Sequence, residues 1–194
     1  MGNSSAYKIH IQGLVQGVGF RPFIYRLATQ NGLKGWVVNR NDGVVVQVHA
    51  EAETLQQFIS QIRAYAPEAS RIRSIDWKES DEEQAGDFHI ISSEDRTREI
   101  TDISPDIAVC DQCLEDMRRQ PHRIQYPFIN CTHCGPRFSI VRDLPYDRPN
   151  TTMSSFRMCR VCQEEYQDVN DRRFHAQPVA CNRCGPAYEY YQQG

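Results

Sequence analysis

The chain has 194 residues, of which 40% are hydrophobic, and a formal charge of −3 with its six histidines neutral. This length fits one ordinary domain plus a smaller one, and the charge provides no basic field for nucleic acid or an anionic membrane. No apolar run approaches the roughly 20 residues of a spanning helix, and the N-terminus has no apolar signal segment. We therefore expect a soluble, cytoplasmic protein.

The chain begins with a strand, a loop and a helix. Residues 7–12 alternate apolar and polar side chains, as a half-buried strand does. From Phe20 onward the apolar residues recur at the spacing of one helix face, and residues 31–32, Asn-Gly, are typical of a helix end.

Two more strands and a second helix follow. Residues 35–39 and 44–49 are predicted strands, and the Asp-Gly pair at 42–43 indicates a hairpin between them. Thr54 can cap a helix with regular apolar spacing, which Pro67 ends.

The first domain ends with further strand patterns. We predict a strand around Ile75 and Trp77, whose start is obscured by the spacing of Ile72, then an acidic loop at 81–83 and a last strand at 88–91. The fold class is therefore α+β, with a ferredoxin-like βαββαβ domain over residues 1–92, in which two helices cover a four-stranded antiparallel sheet.

Residues 13–21 join the first strand to the first helix through a glycine-rich loop. Such a loop can direct backbone N–H groups at an anion, and Arg21 next to Pro22 can add a bidentate hydrogen bond to phosphate. An ordinary tight turn explains the glycines equally well. The candidate phosphate-binding residues are Val15, Gln16, Gly17, Val18, Gly19, Phe20 and Arg21.

All eight cysteines lie in the last 85 residues, as four Cys-x-x-Cys pairs. A polar linker at 93–104 separates them from the first domain, and Cys131–Pro136 recurs about 50 residues later as Cys181–Pro186. We predict two zinc-finger units, at about 105–148 and 149–194. Pairs at this spacing are typical of structural four-thiolate zinc sites, here Cys110, Cys113, Cys131 and Cys134, then Cys159, Cys162, Cys181 and Cys184.

Other functions of the fingers fit the sequence less well. Nested or interleaved pairing of the four cysteine turns is possible, but the repeat favours one site per unit. His133 and His175 are the local candidates for a mixed, catalytic site, and each is better explained as an ordinary polar residue. A redox dithiol would have a single Cys-x-x-Cys, and the 11 arginines and 11 acidic residues from position 105 onward leave no basic surface for nucleic acid.

Asn39 is the candidate partner of Arg21. Hydrolysis of a bound phosphoryl group needs a residue that places water in line with the leaving oxygen, and an amide does this without repelling the anion. Asn39 ends the second strand, and by itself it would be a turn-forming residue.

Residues 15–21 and 35–39 resemble the two signatures of acylphosphatases, ferredoxin-like enzymes that hydrolyse carboxyl-phosphate anhydrides. The resemblance implies that Arg21 binds phosphate and Asn39 orients the water. With residues 126–138 and 172–181, the chain also resembles the N-terminal part of the HypF family of hydrogenase-maturation carbamoyltransferases.

The HypF resemblance implies hydrolysis of carbamoyl phosphate to carbamate and phosphate. Later domains of that family, absent here, use ATP to form carbamoyl adenylate and transfer the group to the partner HypE, so the chain resembles a fragment. Two alternatives are a generic acylphosphatase with attached zinc units and a structural or partner-binding module.

Overall fold

The computed structural model describes residues 4–81, 86–93 and 101–192. The regular elements occur in the order β1 (Ser5–Leu14), α1 (Phe20–Gln30), β2 (Lys34–Arg40), β3 (Gly43–Ala50), α2 (Ala52–Tyr65), β4 (Arg71–Ser80), β5 (Phe88–Ile90), α3 (Asp111–Arg119) and α4 (Arg160–Gln167), with 3-10 turns at Arg148–Asn150 and Thr152–Ser155. None of the helices in these ranges is long and apolar enough to cross a bilayer.

The strands form one sheet in the order β4-β1-β3-β2-β5. β1 pairs antiparallel with β3 and β4, and β2 pairs antiparallel with β3. This confirms the ferredoxin-like fold class. The predicted last strand is present as β5, but the sheet has five strands and not the four predicted, because β5 pairs in parallel with β2 at the sheet edge.

Apolar faces of the sheet and both helices form the core of the first domain. Ile9 and Ile11 of β1 are fully buried, as are Ile24 of α1 and Phe58 and Ile62 of α2. Since these positions follow the strand period of 2 and the helix period of 3.6, the local patterns predicted the buried faces correctly.

Two details of the first domain differ from the sequence prediction. The N-cap of α2 is Glu51, so the assignment of Thr54 as the cap is wrong: Thr54 already lies in the first turn. The irregular spacing at Ile72 has a structural cause, because Gln12 pairs with Ser74 whereas Gly13 pairs with Ile72. Arg73 is therefore the extra residue of a β-bulge.

Part of the predicted linker contacts the first domain. Thr101 Oγ1 donates to the Gly13 carbonyl at 2.6 Å, and Arg73 Nη2 lies 2.8 Å from Asp102. Residues 94–100 of the linker and 82–83 of the predicted acidic loop lie outside the described residues.

The two finger units are interlocked by equivalent buried arginines. Arg123 of the first unit bonds Glu165 of the second at 2.6 Å and the Ala180 carbonyl at 3.0 Å. Arg173 of the second unit bonds Asp116 of the first at 2.6 Å and the Asn130 carbonyl at 3.1 Å. Each unit thus supplies the cation for the other's carboxylate, so neither packs independently.

Truncation of Phe58 tests the predicted core. We expect Phe58→Ala to lower the free energy of unfolding by about 3–5 kcal/mol, because it leaves a cavity between α2 and the sheet. The control Tyr65→Ala, on the same helix but 68% exposed, should change it by less than about 0.5 kcal/mol. Urea titration followed by tryptophan fluorescence measures this, because Trp36 and Trp77 both lie in the sheet. Equal effects of the two variants would contradict the core assignment.

Candidate phosphate site and metal centres

Eight cysteines form two four-sulfur clusters, with the pairing that the repeat predicted. In the first cluster Cys131 lies 3.6 Å from Cys134 and 4.0 Å from Cys110, measured between sulfurs. In the second, three sulfur pairs lie 3.7 to 3.8 Å apart, namely Cys159–Cys181, Cys184–Cys162 and Cys181–Cys184. A regular tetrahedron with zinc–sulfur bonds of about 2.3 Å has edges of about 3.8 Å, so both clusters fit zinc.

The surroundings of the clusters favour thiolates. Cys110 and Cys159 are the N-caps of α3 and α4, where the helix dipole stabilises negative charge. Arg172 donates to Cys113 Sγ at 3.5 Å, and Arg123 donates to Cys162 Sγ at 3.4 Å. Each arginine comes from the other unit, so the interlocking also supplies charge to the clusters.

Neither local histidine joins a cluster, as the all-cysteine prediction requires. His133 lies in the turn Cys131–Cys134 and faces Gly19 of the glycine loop, with 3.3 Å between its Cε1 and the position that a Gly19 Cβ would take. His175 lines the cavity beside that loop. The glycine loop and the fingers, which are far apart in the sequence, therefore lie next to each other in the fold.

The glycine loop has the backbone shape of an anion-binding loop. Gly17 and Gly19 have φ values of 72° and 77°, and Gly19 is the N-cap of α1, which begins two residues before Pro22. Among the described residues, no acceptor is hydrogen-bonded to the N–H groups of Gly17, Val18 or Gly19. Together with the helix N-terminus, these donors can bind an anion.

Arg21 is 7% exposed and is held by residues outside the loop. Its Nη2 donates to the Asp147 carboxylate and to the Tyr146 carbonyl, the latter at 3.5 Å. Its Nη1 donates to Ser93 Oγ at 3.3 Å, and Ser93 in turn donates to Asp147. Because these bonds use the two terminal nitrogens, the Nε–H of the guanidinium is left for another acceptor.

The Tyr146 peptide brings Asn39 to the same place. Asn39 Nδ2 donates to the Tyr146 carbonyl at 3.2 Å, and the Tyr146 N–H donates to Gln16 Oε1 at 2.8 Å. The Oδ1 of Asn39 is buried, and no described residue donates a hydrogen bond to it. A buried acceptor of this kind is costly unless a ligand or water satisfies it.

A cavity of about 30 Å³ joins these groups. One wall consists of the glycine loop with Arg21 and Asn39, and the other comes from the fingers, with Thr132, Arg137, Tyr146 and residues 175–178. No finger residue was predicted from the sequence to lie at the candidate phosphate site, because the fingers and the loop meet only through tertiary packing.

His175 is a finger histidine that lines the same cavity as Arg21. Burial, reinforced by the positive charge of Arg21 and opposed by Asp147, lowers the pKa of His175 to about 4. Its ring packs 4.8 Å from Tyr166 and 4.7 Å from Phe174. The imidazole is therefore neutral at pH 7 and adds no positive charge to the site.

The fold and loop define a known class. Residues 7–90 match the family described as Acylphosphatase. An acylphosphatase of Thermotoga petrophila is 40% identical over 87 residues, which are 44% of this chain and 94% of that protein. The chain belongs to the acylphosphatase family.

The second half of the chain gives the more particular likeness. Residues 109–141 and 158–191 match the family described as HypF finger. Carbamoyltransferase HypF of Rhodobacter capsulatus is 44% identical over 181 residues, 93% of this chain and 24% of that protein. A solved structure of full-length HypF in the phosphate- and nucleotide-bound form has a TM-score of 0.93 and 44% identity, covering 100% of this chain and 26% of that one. The chain spans about a quarter of the length of these relatives.

The metal content tests the cysteine clusters. We expect two zinc ions per chain by elemental analysis, one for each four-sulfur cluster. Cys162→Ser should reduce this to about one, because a hydroxyl is a poor ligand for a thiolate-type zinc site. A content of one or none in the unaltered chain, or of two in the variant, would contradict the assignment.

The pKa of His175 predicts a dependence of stability on pH. The pKa of a histidine in an unfolded chain is near 6.5. Between about pH 6.5 and 4 the unfolded chain therefore binds a proton that the folded chain does not, and the free energy of unfolding decreases as the pH is lowered. His175→Gln should remove up to about 3 kcal/mol of that loss, measured by urea unfolding at each pH. His89→Gln, at an exposed histidine, is the control. Any effect of metal loss in acid is common to both variants and cancels when their pH profiles are compared. An unchanged pH profile in His175→Gln would contradict a buried neutral imidazole.

Proposed function

We propose that the chain hydrolyses an acyl phosphate, and that its substrate is carbamoyl phosphate. Support comes from the site that the glycine loop, Arg21 and Asn39 form, and from the similarity to an acylphosphatase and to HypF proteins. The observation that carries the proposal is the convergence of Arg21 and Asn39 on one carbonyl, with Asn39 Oδ1 left as a buried acceptor.

In this mechanism the loop and Arg21 bind the phosphoryl group. The N–H groups of Gly17, Val18 and Gly19 and the Nε–H of Arg21 donate to its oxygens, and the α1 N-terminus adds a partial positive charge. Asp147 and Ser93 hold the guanidinium from the other side. The donors stabilise the charge on the phosphoryl oxygens as the bond to the leaving group breaks.

Asn39 orients the attacking water. Its Nδ2 is fixed by the Tyr146 carbonyl, so its Oδ1 points at a defined position and can accept a hydrogen bond from water. The water oxygen forms a new bond to phosphorus, the bond from phosphorus to the acyl oxygen breaks, and carbamate leaves with the bonding electrons. The proton released from the water goes to the phosphate product.

The narrow cavity favours a small acyl group. Residues 175–178 of the fingers form its far wall, and a bulky aromatic acyl group would have to displace that wall. This distinguishes carbamoyl phosphate from the substrates of a generic acylphosphatase.

The carbamate product belongs to a longer reaction sequence. By its similarity to HypF carbamoyltransferases, we propose that the chain is the cytoplasmic N-terminal module of such an enzyme in [NiFe]-hydrogenase maturation. In that enzyme, formation of carbamoyl adenylate with ATP and transfer of the carbamoyl group to HypE would follow this hydrolysis. Zinc in the fingers has a structural role, because closed four-thiolate sites have no open position for substrate.

Replacement of Arg21 and Asn39 tests the mechanism. Release of phosphate from carbamoyl phosphate should fall by at least about a hundredfold in Arg21→Ala, through loss of both binding and charge stabilisation. In Asn39→Ala, kcat should fall by a similar factor with little change in KM, because water positioning matters only after the substrate has bound.

The controls separate the alternatives. Arg63→Ala removes an exposed arginine from α2 and should leave hydrolysis unchanged. Much faster hydrolysis of benzoyl phosphate than of carbamoyl phosphate would favour a generic acylphosphatase, and full activity of Arg21→Ala would favour a structural module. Zinc content should be the same in all these variants.

A further inference from the structure

Arg137 of the first finger unit donates a hydrogen bond to the glycine loop. Arg137 is 2% exposed, and its Nε donates to the Gly17 carbonyl. Its other N–H groups donate to carbonyls of residues 131–136. Nη1 donates to those of Cys134 at 3.1 Å and Pro136 at 2.8 Å, and Nη2 to those of Cys131 at 3.3 Å and Thr132 at 2.9 Å.

These five bonds use all five N–H groups of the guanidinium. Arg137 therefore has no donor left for a ligand, although it lines the cavity. Any effect that its hydrogen bonds have on phosphate must act through the loop.

We propose that Arg137 is a positioning residue of the phosphate site, which sets the orientation of the Gly17–Val18 peptide. In a trans peptide the C=O and N–H groups point in opposite directions. Because Arg137 holds the Gly17 carbonyl, the Val18 N–H of the same peptide points away from Arg137. This inference rests on the proposed phosphate site.

The packing of the loop glycines supports the same coupling. A Cβ on Gly17 would lie 3.1 Å from Arg137 Cδ, and a Cβ on Gly19 would lie 2.9 Å from Thr132 Cγ2. Gly17 thus faces Arg137, and Gly19 faces the turn Cys131–Cys134, both at distances shorter than ordinary van der Waals contact. The turn that carries two sulfurs of the first cluster is also the surface against which the loop takes its shape.

Arg123 offers a matched comparison. It is 0% exposed and also spans two parts of the protein, yet its bonds go to Glu165, the Ala180 carbonyl and the second cluster. It has the same burial and charge as Arg137 but no bond to the loop.

Binding of inorganic phosphate to the whole chain, measured by calorimetry, tests the proposal. We expect Arg137→Lys to raise the phosphate Kd by about tenfold or more, because Lys keeps the charge but has neither the planar fork nor five donors. Arg137→Gln should weaken binding at least as much, and Arg123→Lys should bind within about twofold of the unaltered chain. In turnover, Arg137→Lys should raise KM more than it lowers kcat.

A second measurement, by NMR, distinguishes a local effect on the loop from poor folding of the variant. In the unaltered chain, phosphate should shift the amide resonance of Val18, and in Arg137→Lys, with two zinc ions bound, that shift should be reduced. A Kd and a Val18 shift for Arg137→Lys equal to those of the unaltered chain would overturn the proposal. Since neither readout needs turnover, failure of the unaltered chain to hydrolyse carbamoyl phosphate would reject the proposed function and leave this inference standing.

Discussion

The arrangement of the site depends on the peptide of Tyr146, which the first domain binds on both sides. Gln16 accepts its N–H, while Asn39 and Arg21 donate to its carbonyl. Gln16 also donates to the carbonyls of Arg40 at 2.6 Å and Gly43 at 2.9 Å, which ties the loop to the β2–β3 hairpin. Because Gln16, Asn39, Arg21 and Tyr146 are all buried, loss of one bond to the Tyr146 peptide would leave an unsatisfied polar group. The contact therefore defines a single relative placement of finger and loop.

The interactions between the two finger units support this contact. The equivalent ion pairs of Arg123 and Arg173 join the two units reciprocally. Both guanidinium groups are buried, so removal of either carboxylate partner would leave an uncompensated charge and destabilise the fingers. Tyr146 and Arg137 belong to the first unit, whereas His175 and its neighbours belong to the second. The cavity wall therefore requires both units at once, which gives the metal-bound fingers a part in shaping the site as well as in their own folding.

Local patterns in the sequence were sufficient for the elements of the first domain and for the metal clusters. The strand and helix faces of Ile9, Ile24 and Phe58 follow from periods that each element must satisfy by itself, and two sulfurs two residues apart can point at one metal in any fold. The cap of α2 and the bulge at Arg73 were missed, because helix starts and strand register depend on neighbouring elements that single-segment patterns do not include.

By itself, then, the sequence determined the fold class and the two four-cysteine clusters. It also predicted a division into a glycine-loop domain and two cysteine units, with Arg21 and Asn39 as candidate site residues. Only the tertiary structure decided that finger residues complete the site. Arg21 and Asp147 are 126 positions apart, and Arg137 and Gly17 are 120 apart. No local period or motif spacing links such positions, because their contact arises from the packing of one folded part against another.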